Sequence, residues 1–201
     1  MIIKAVVITM IDNLNLDDVY TVERIVKTVP TSEFYENFVD LEYTGKLCRE
    51  CNMYNNNWGC PEFREDVSEY WTRYDNIKLI ALKLNFTDEF RQKSFNIDEI
   101  IDIVDMTLFK EKSRILSELM AKEAEADGLV LSAGFCDICE ESSRINDEPC
   151  RFPDKVRHSI ESIGTLVNKT LTDVFGFELE SIDFENGRFP EYLTLLTALL
   201  Y

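Results

Sequence analysis

Two cysteine runs constrain this chain more than anything else in it. CRECNMYNNNWGC, residues 48–60, spaces its thiols as C-x2-C-x8-C, and CDICEESSRINDEPC, residues 136–150, spaces them as C-x2-C-x10-C. These runs hold all 6 cysteines. A C-x2-C turn brings two thiolates onto one metal or cluster, and a third can arrive from the far side of a loop. One C-x2-C is a weak signal; two, each with a third cysteine at similar spacing, make a strong one. The bland alternative is that free cysteines pack as small hydrophobes. Against it, these cysteines sit among Arg, Glu, Asn and Asp rather than in apolar runs.

Compartment decides whether such thiols meet a metal or each other. The N-terminal MIIKAVVITMIDN carries Lys4 inside its apolar stretch and runs into Asp12 without a small-x-small cleavage site. It reads as a buried strand, not a signal peptide. No window approaches the roughly eighteen apolar residues of a membrane span. The expectation is a cytoplasmic protein whose cysteines serve metal or redox chemistry. Apolar residues make up 45%, with 13 Phe and 8 Tyr, so a core can form without disulfide staples. Against 21 basic residues stand 38 acidic ones, a net charge of −17. That field repels phosphate backbones and anionic bilayers, which argues against nucleic-acid and membrane partners and favours a basic redox partner or a cation. Homo-oligomer formation is left open.

The apolar spacing predicts a helix over Asp17 to Val29, closed by Pro30. It then predicts a strand at FVDLEYT (38–44) leading into Cys48, and a short helix from Pro61. IKLIALKLNF (77–86) is the clearest strand. Asn96 with Glu99 forms a capping box that opens a helix with Ile97, Ile101, Val104, Leu108, Ile115 and Leu119 on one face. That helix ends near Ala126, with Gly128 as its C-cap. GLVLSAG (128–134) reads as a strand and RHSIESIGTLVNKTLTDVFG as a helix broken at Gly164. Asn186-Gly187 between two apolar runs signals a hairpin, and YLTLLTALLY reads as a final strand in preference to a helix. The fold class expected is α/β or α+β, one domain over residues 1–201. It would have a mixed sheet, flanking helices, and both cysteine runs in loops at strand ends.

Metal-ligand candidates are therefore Cys48, Cys51, Cys60, Cys136, Cys139 and Cys150. Two C-x2-C pairs could close a zinc tetrahedron, leaving Cys60 and Cys150 over. An iron–sulfur cluster, 4Fe–4S by preference, also wants four thiolates, and Cys60-Pro61 resembles ferredoxin-type runs. The turn Asn55 to Gly59 could direct backbone N–H groups at cluster sulfurs. Three thiolates per run also allow two clusters, each with an iron that takes another donor. Ser142, Asp137, Glu140 and His158, the only histidine, are the nearby candidates. The opening run is expected to be half of a site that the second run completes in space.

CRECNMYNNNWGCPEF resembles the C-x2-C…W-x-CPP stretch of a prokaryotic family known as predicted metal-binding proteins, a domain of unknown function. AGFCDICEESSRINDEPCRFPDKVRHSIESIG is similar to its second motif through Gly134, Cys136, Cys139, Pro149, Cys150, Arg151, Pro153, Ser159, Glu161 and Gly164. Ser142 stands where the family pattern often has a third closely spaced cysteine. The resemblance implies a metal, iron–sulfur by preference, in anaerobic or redox metabolism, and implies no particular reaction. Three functions compete: an electron-transfer or accessory redox protein, an enzyme or ligand sensor with an open iron site, and a zinc-stabilised interaction module. No G-x-G-x-x-G, phosphate loop or G-x-S-x-G supports another chemistry.

Overall fold

IKLIALKLNF is apolar at almost every position, and a run of that kind forms a strand covered on both faces. In the computed structural model, which describes residues 15–64 and 66–201, it is β2 (Asn76–Phe86). Ile77, Leu79 and Ala81 on one face and Ile80 and Leu82 on the other are all fully buried. YLTLLTALL does the same as β4 (Tyr192–Leu200), where every residue but Thr194 is buried. With β1 (Tyr20–Pro30) and β3 (Leu129–Leu131) they form a four-stranded sheet in the order β1-β2-β4-β3. The strand expected at the N-terminus lies outside the described residues.

The sheet is antiparallel, which settles the class as α+β rather than α/β. Asn76 and Tyr201 exchange backbone hydrogen bonds at 2.9 and 3.0 Å, and Leu129, Val130 and Leu131 pair with Leu200, Leu199 and Ala198. A mixed sheet would need parallel neighbours. Here β2 and β3 run the same way, but β4 returns between them, so each has an antiparallel partner instead.

The chain forms two compact units, each assembled from separated segments. Among the described residues, one comprises those up to Arg24, Leu82–Arg114 and Leu179–Leu195. Its core is aromatic: Phe86, Phe90, Phe95 and Phe189 lie with ring centroids 4.9–5.7 Å apart. The other comprises Ile25–Ala81, Ile115–Glu178 and Leu196–Tyr201, and holds all six cysteines. Its core gathers Phe34, Trp71, Ile77, Leu79, Leu131, Ile160 and Ile163. The Trp71 indole N–H donates to the Ile163 carbonyl at 2.9 Å, so even its polar atom is satisfied. Each such side chain contributes about 1.5–3 kcal/mol by leaving water.

Several local expectations are overturned, each for a physical reason. Residues 20–30 are strand, not helix: Thr21, Val22, Ile25, Val26, Thr28 and Val29 are β-branched and favour extended backbone. FVDLEYT is not a strand. Helix α1 (Thr31–Phe38) ends there, and α2 (Leu41–Glu50) begins because the Asp40 carboxylate accepts from the Tyr43 N–H at 2.8 Å. The helix expected from Pro61 shrinks to α3 (Glu69–Thr72). A short α4 (Asp88–Arg91) precedes the capping box, which forms as read: Glu99 N–H to Asn96 at 3.0 Å and Asn96 N–H to Glu99 at 2.9 Å. It opens α5 (Ile97–Val104), which a π-turn at Asp105–Phe109 joins to α6 (Lys110–Ala126). The π-turn rotates the helix phase, so the buried residues are Ile100, Ile103, Ile115 and Leu119, while Ile97 and Ile101 are exposed. Of the helix expected after Cys150, only α7 (Val167–Thr170) and the π-turn Leu171–Phe175 form. The stretch before them is a tight turn that matters below.

Candidate metal centre

The two cysteine runs reach their places by different routes. Cys48 lies in the last turn of α2, and Cys51 follows its end, with the Cys51 N–H donating to the Cys48 carbonyl at 2.9 Å. The first run is thus a helix exit, not a strand-end loop. The second run does follow a strand, β3, as expected. It is then irregular until a 3-10 turn at Ser143–Asn146, where the Ser143 hydroxyl donates to the Pro149 carbonyl at 2.8 Å and draws Cys150 back.

The runs lie against each other, but their thiols part company. Cys48, Cys51 and Cys60 line a cavity of about 610 Å³, together with Ser159 and Glu161. Cys136, Cys139 and Cys150 line a separate space of about 10 Å³, with Ser142 and Trp58. The thiols of each run thus line a space of their own. Ser142 lines the space of the second trio. Asp137, Glu140 and His158 line neither space. His158 instead packs edge-on between Phe63 and Tyr70, at 4.9 and 6.0 Å.

Asn57 is the clamp between the trios, and it was not legible as such. Its side-chain oxygen accepts from Gly59 N–H at 2.8 Å and Cys136 N–H at 3.0 Å, while its NH₂ donates to the Cys136 carbonyl at 2.7 Å. It is 6% exposed, so these bonds replace water fully. Gly59 must be glycine for this approach, because a Cβ there would sit 2.8 Å from the Cys136 nitrogen. Around the clamp, Trp58 donates to the Glu148 carbonyl at 3.1 Å, and the Arg144 guanidinium donates to Asn55 Oδ1 at 2.5 and 3.1 Å. Asn55 and Asn57 thus knit loop to loop, while the Asn56 side chain stays local, donating to the Asn52 carbonyl at 3.0 Å. In sequence this stretch reads as a polar turn, or as a source of N–H groups for cluster sulfurs, not as a tie between the runs.

A second feature holds Ser159 and Glu161 beside the first trio. Ser132 and Ser159 pair through backbone bonds of 2.8 Å on either side, and the Ser159 N–H donates to the Gly59 carbonyl at 2.8 Å. Gly164, at φ +105°, closes the turn that follows; a Cβ there would lie 2.5 Å from Leu41 Cδ2. The Ser159 hydroxyl donates to Glu161 Oε2 at 2.7 Å and is within hydrogen-bond reach of the Cys60 thiol. A hydroxyl has one proton, so it can serve the carboxylate or a Cys60 thiolate, but not both at once.

Electrostatics around Cys60 and Cys48 favour the protonated thiol in the metal-free protein. Burial, above all, pushes Cys60 up to about 12, with the charges of Glu161, Cys48 and Cys51 adding to it and the Ser159 hydroxyl working against it. Burial also raises Cys48, helped by Cys51 and Glu161 and opposed by Arg49. A metal must displace those protons, since only thiolate ligates. Backbone donors are already in place: Met53 N–H points at Cys51 Sγ at 3.5 Å, and Phe152 N–H at Cys150 Sγ at 3.4 Å. Such bonds stabilise thiolate and tune cluster potentials.

Do the residues fit a metal group? Tetrahedral zinc at about 2.3 Å from each sulfur needs thiolates about 3.8 Å apart. Among the described residues, no three His, Cys, Asp or Glu side chains gather closely enough to hold a single ion as they stand. The first trio, spread along a roomy cavity, suits a group larger than an ion. The second trio surrounds room for about one water molecule. Its cover includes the exposed Ile138 and Phe152, which can yield at little cost.

No curated protein and no solved structure matches this chain. Residues 37–200 do match a family described as predicted metal-binding protein (DUF2284), a span that contains both trios, the Asn57 clamp and the Ser159–Gly164 turn. The chain belongs to that metal-binding family, whose function is unknown.

Proposed function

We propose that this protein is an iron–sulfur redox protein whose cluster is carried by Cys48, Cys51 and Cys60, with a second metal centre on Cys136, Cys139 and Cys150. One observation carries the reading: six thiols divide three and three between two spaces, and the first opens into about 610 Å³. A bound cluster of the 4Fe–4S type would supply a reversible one-electron centre with one iron left to a donor other than cysteine. The chain's own residues prepare for it. Met53 N–H supports the Cys51 sulfur, Ser159 is positioned to support Cys60, and Asn57 fixes the first loop against the second. At the second trio, the Ser142 hydroxyl stands in the same space as the thiols and is the donor at hand for a fourth position.

A second reading applies to that trio alone. Its space of about 10 Å³ favours a small occupant, so a structural zinc is the competing assignment there. All six cysteines are free, which agrees with a reducing compartment, and we place the protein in the cytoplasm. Among the described residues no helix is long and apolar enough to cross a membrane. The net charge of −17 suits a basic redox partner.

Metal and acid-labile sulfide content, measured with the absorption spectrum on protein purified without oxygen, test this. The wild type is compared with Cys48→Ala/Cys51→Ala and Cys136→Ala/Cys139→Ala. Iron matched by sulfide and lost in the first double variant supports the cluster assignment. Zinc lost in the second variant assigns the second trio to zinc. Zinc without sulfide in both places sinks the redox reading.

A further inference from the structure

The cavity beside Cys48, Cys51 and Cys60 is larger than thiol ligation requires, and its walls are mostly apolar. Leu47 and Tyr54 come from the first-run side, Phe135 from the loop after β3, and Leu166 and Val167 from the start of α7. A volume of about 610 Å³ with such walls and few polar groups is that of a small-molecule site. Its polar lining includes Ser159 and Glu161, which stand beside Cys60. There the Gly134 N–H and Ser159 O–H both donate to Glu161 Oε2, at 3.2 and 2.7 Å. That leaves Glu161 Oε1 to accept from a ligand.

Charge narrows the class. Lys169, the one basic residue among the described residues lining the cavity, is held by Asp173 at 2.7 Å and lies 4.3 Å over the Phe38 ring. It is spent on those partners, while Glu161 and the surrounding excess of acidic residues repel anions. We propose that this cavity binds an uncharged or singly cationic organic molecule with an apolar body and a hydrogen-bond-donating head, an amine or alcohol. The head meets Glu161 beside the thiols, and the body lies along Leu47, Phe135 and Val167. This rests on the cluster assignment only for what the head would face. The cavity, its apolar walls and Glu161 stand without it.

Isothermal titration calorimetry with phenylbutylamine, phenylbutanol and phenylbutyrate tests it, since the three share one body and differ in the head. The full chain is titrated as isolated and after metal removal. The amine and alcohol bind, and the carboxylate binds at least about tenfold more weakly because it meets Glu161 as a like charge. Glu161→Gln weakens the amine about tenfold or more by replacing a charge-assisted bond with a neutral one. It changes the alcohol far less. Val167→Trp, or Leu47→Trp from the exposed side of α2 should the former unfold, blocks both. Equal binding of the carboxylate, no binding of any of the three, or amine binding unmoved by all three substitutions overturns the proposal. Iron content is measured on each sample. Probe binding without iron sinks the cluster assignment and leaves this one standing, and iron without probe binding does the reverse.

Discussion

Around Cys48, Cys51 and Cys60 the chain leaves about 610 Å³ walled by apolar side chains; around Cys136, Cys139 and Cys150 it leaves about 10 Å³. The spacings C-x2-C-x8-C and C-x2-C-x10-C are nearly the same, so spacing does not set the character of either place. Neighbouring elements do. The first trio is fixed at one end by α2, and the start of α7 stands across from it, so a void survives between two rigid segments. The second trio lies wholly in irregular chain that folds on itself through Ser143 and Pro149, and nothing rigid props it open. The first place has room for a group larger than a single ion beside its thiols, and the second does not.

The harshest test of this division removes one thiol from each side. Cys60→Ala is expected to empty the first trio of metal while the second keeps its own, and Cys150→Ala to do the opposite. Metal analysis with the absorption spectrum of each variant reads the outcome. Loss of both centres from either single substitution would mean that the trios share one group after all.

Next in size is the clamp. Asn57→Ala leaves the Gly59 and Cys136 N–H groups and the Cys136 carbonyl without their buried partner, at a cost of roughly 2–4 kcal/mol. Gly59→Ala forces a Cβ to within 2.8 Å of backbone, an overpacking cost of roughly 1–3 kcal/mol. Urea unfolding of the metal-free protein reports both. A cost well under 1 kcal/mol for Asn57→Ala would show the two loops to be independent.

How much of this was legible in the sequence varies by element. β2 and β4 were, because a continuous apolar run leaves few alternatives, and so was the Asn96–Glu99 box, whose two bonds are local. At Asn186-Gly187 the expected hairpin reduces to a turn, with Gly187 at φ +67° and a single bridge between Asp183 and Arg188. β1 was misread because its valines happen to fall at helical spacing, while their β-branching carried the truer signal. Asp40 was a readable N-cap that was passed over in favour of the alternation after it. Both trios were visible as cysteines, and Ser142 was placed with the correct one. Three thiolates per run were read as allowing two sites, but the Asn57 bonds to Cys136 that fasten one run to the other across the fold were not legible. Nor was the cavity, whose walls come from α2 and α7, far apart in the chain.

A subtler contrast lies in proton affinity. Burial holds the Cys60 thiol at about 12 in the metal-free protein, above its ordinary value of 9.0. The raised value means that the folded state favours the neutral thiol. The resulting stability is complete below about pH 9 and is lost as pH climbs towards about 12. Because the thiolate is the nucleophile, alkylation of Cys60 by iodoacetamide should stay slow through pH 9 and rise steeply above it. The exposed Cys51 reacts first. Mass spectrometry of the alkylated peptides gives the order, and Cys60 reacting alongside Cys51 at neutral pH would show that burial does not hold the Cys60 thiol as described.

The smallest effect expected is at Trp58, which belongs to the first run but serves the second. Its indole N–H donates to the Glu148 carbonyl at 3.1 Å, and the Arg144 guanidinium lies 5.0 Å from its ring. Trp58→Phe keeps an aromatic face for Arg144 and removes only the hydrogen bond, so it should cost about 1 kcal/mol. The loss should be local, because the Asn57 bonds and the Ser159–Gly59 pairing do not pass through the indole. Limited proteolysis of the metal-free protein should then show faster cleavage within residues 136–150 and no change in residues 41–51. Equal loosening of both segments would make Trp58, rather than Asn57, the joint between the two trios, and the closed place would owe its closure to the first run's tryptophan.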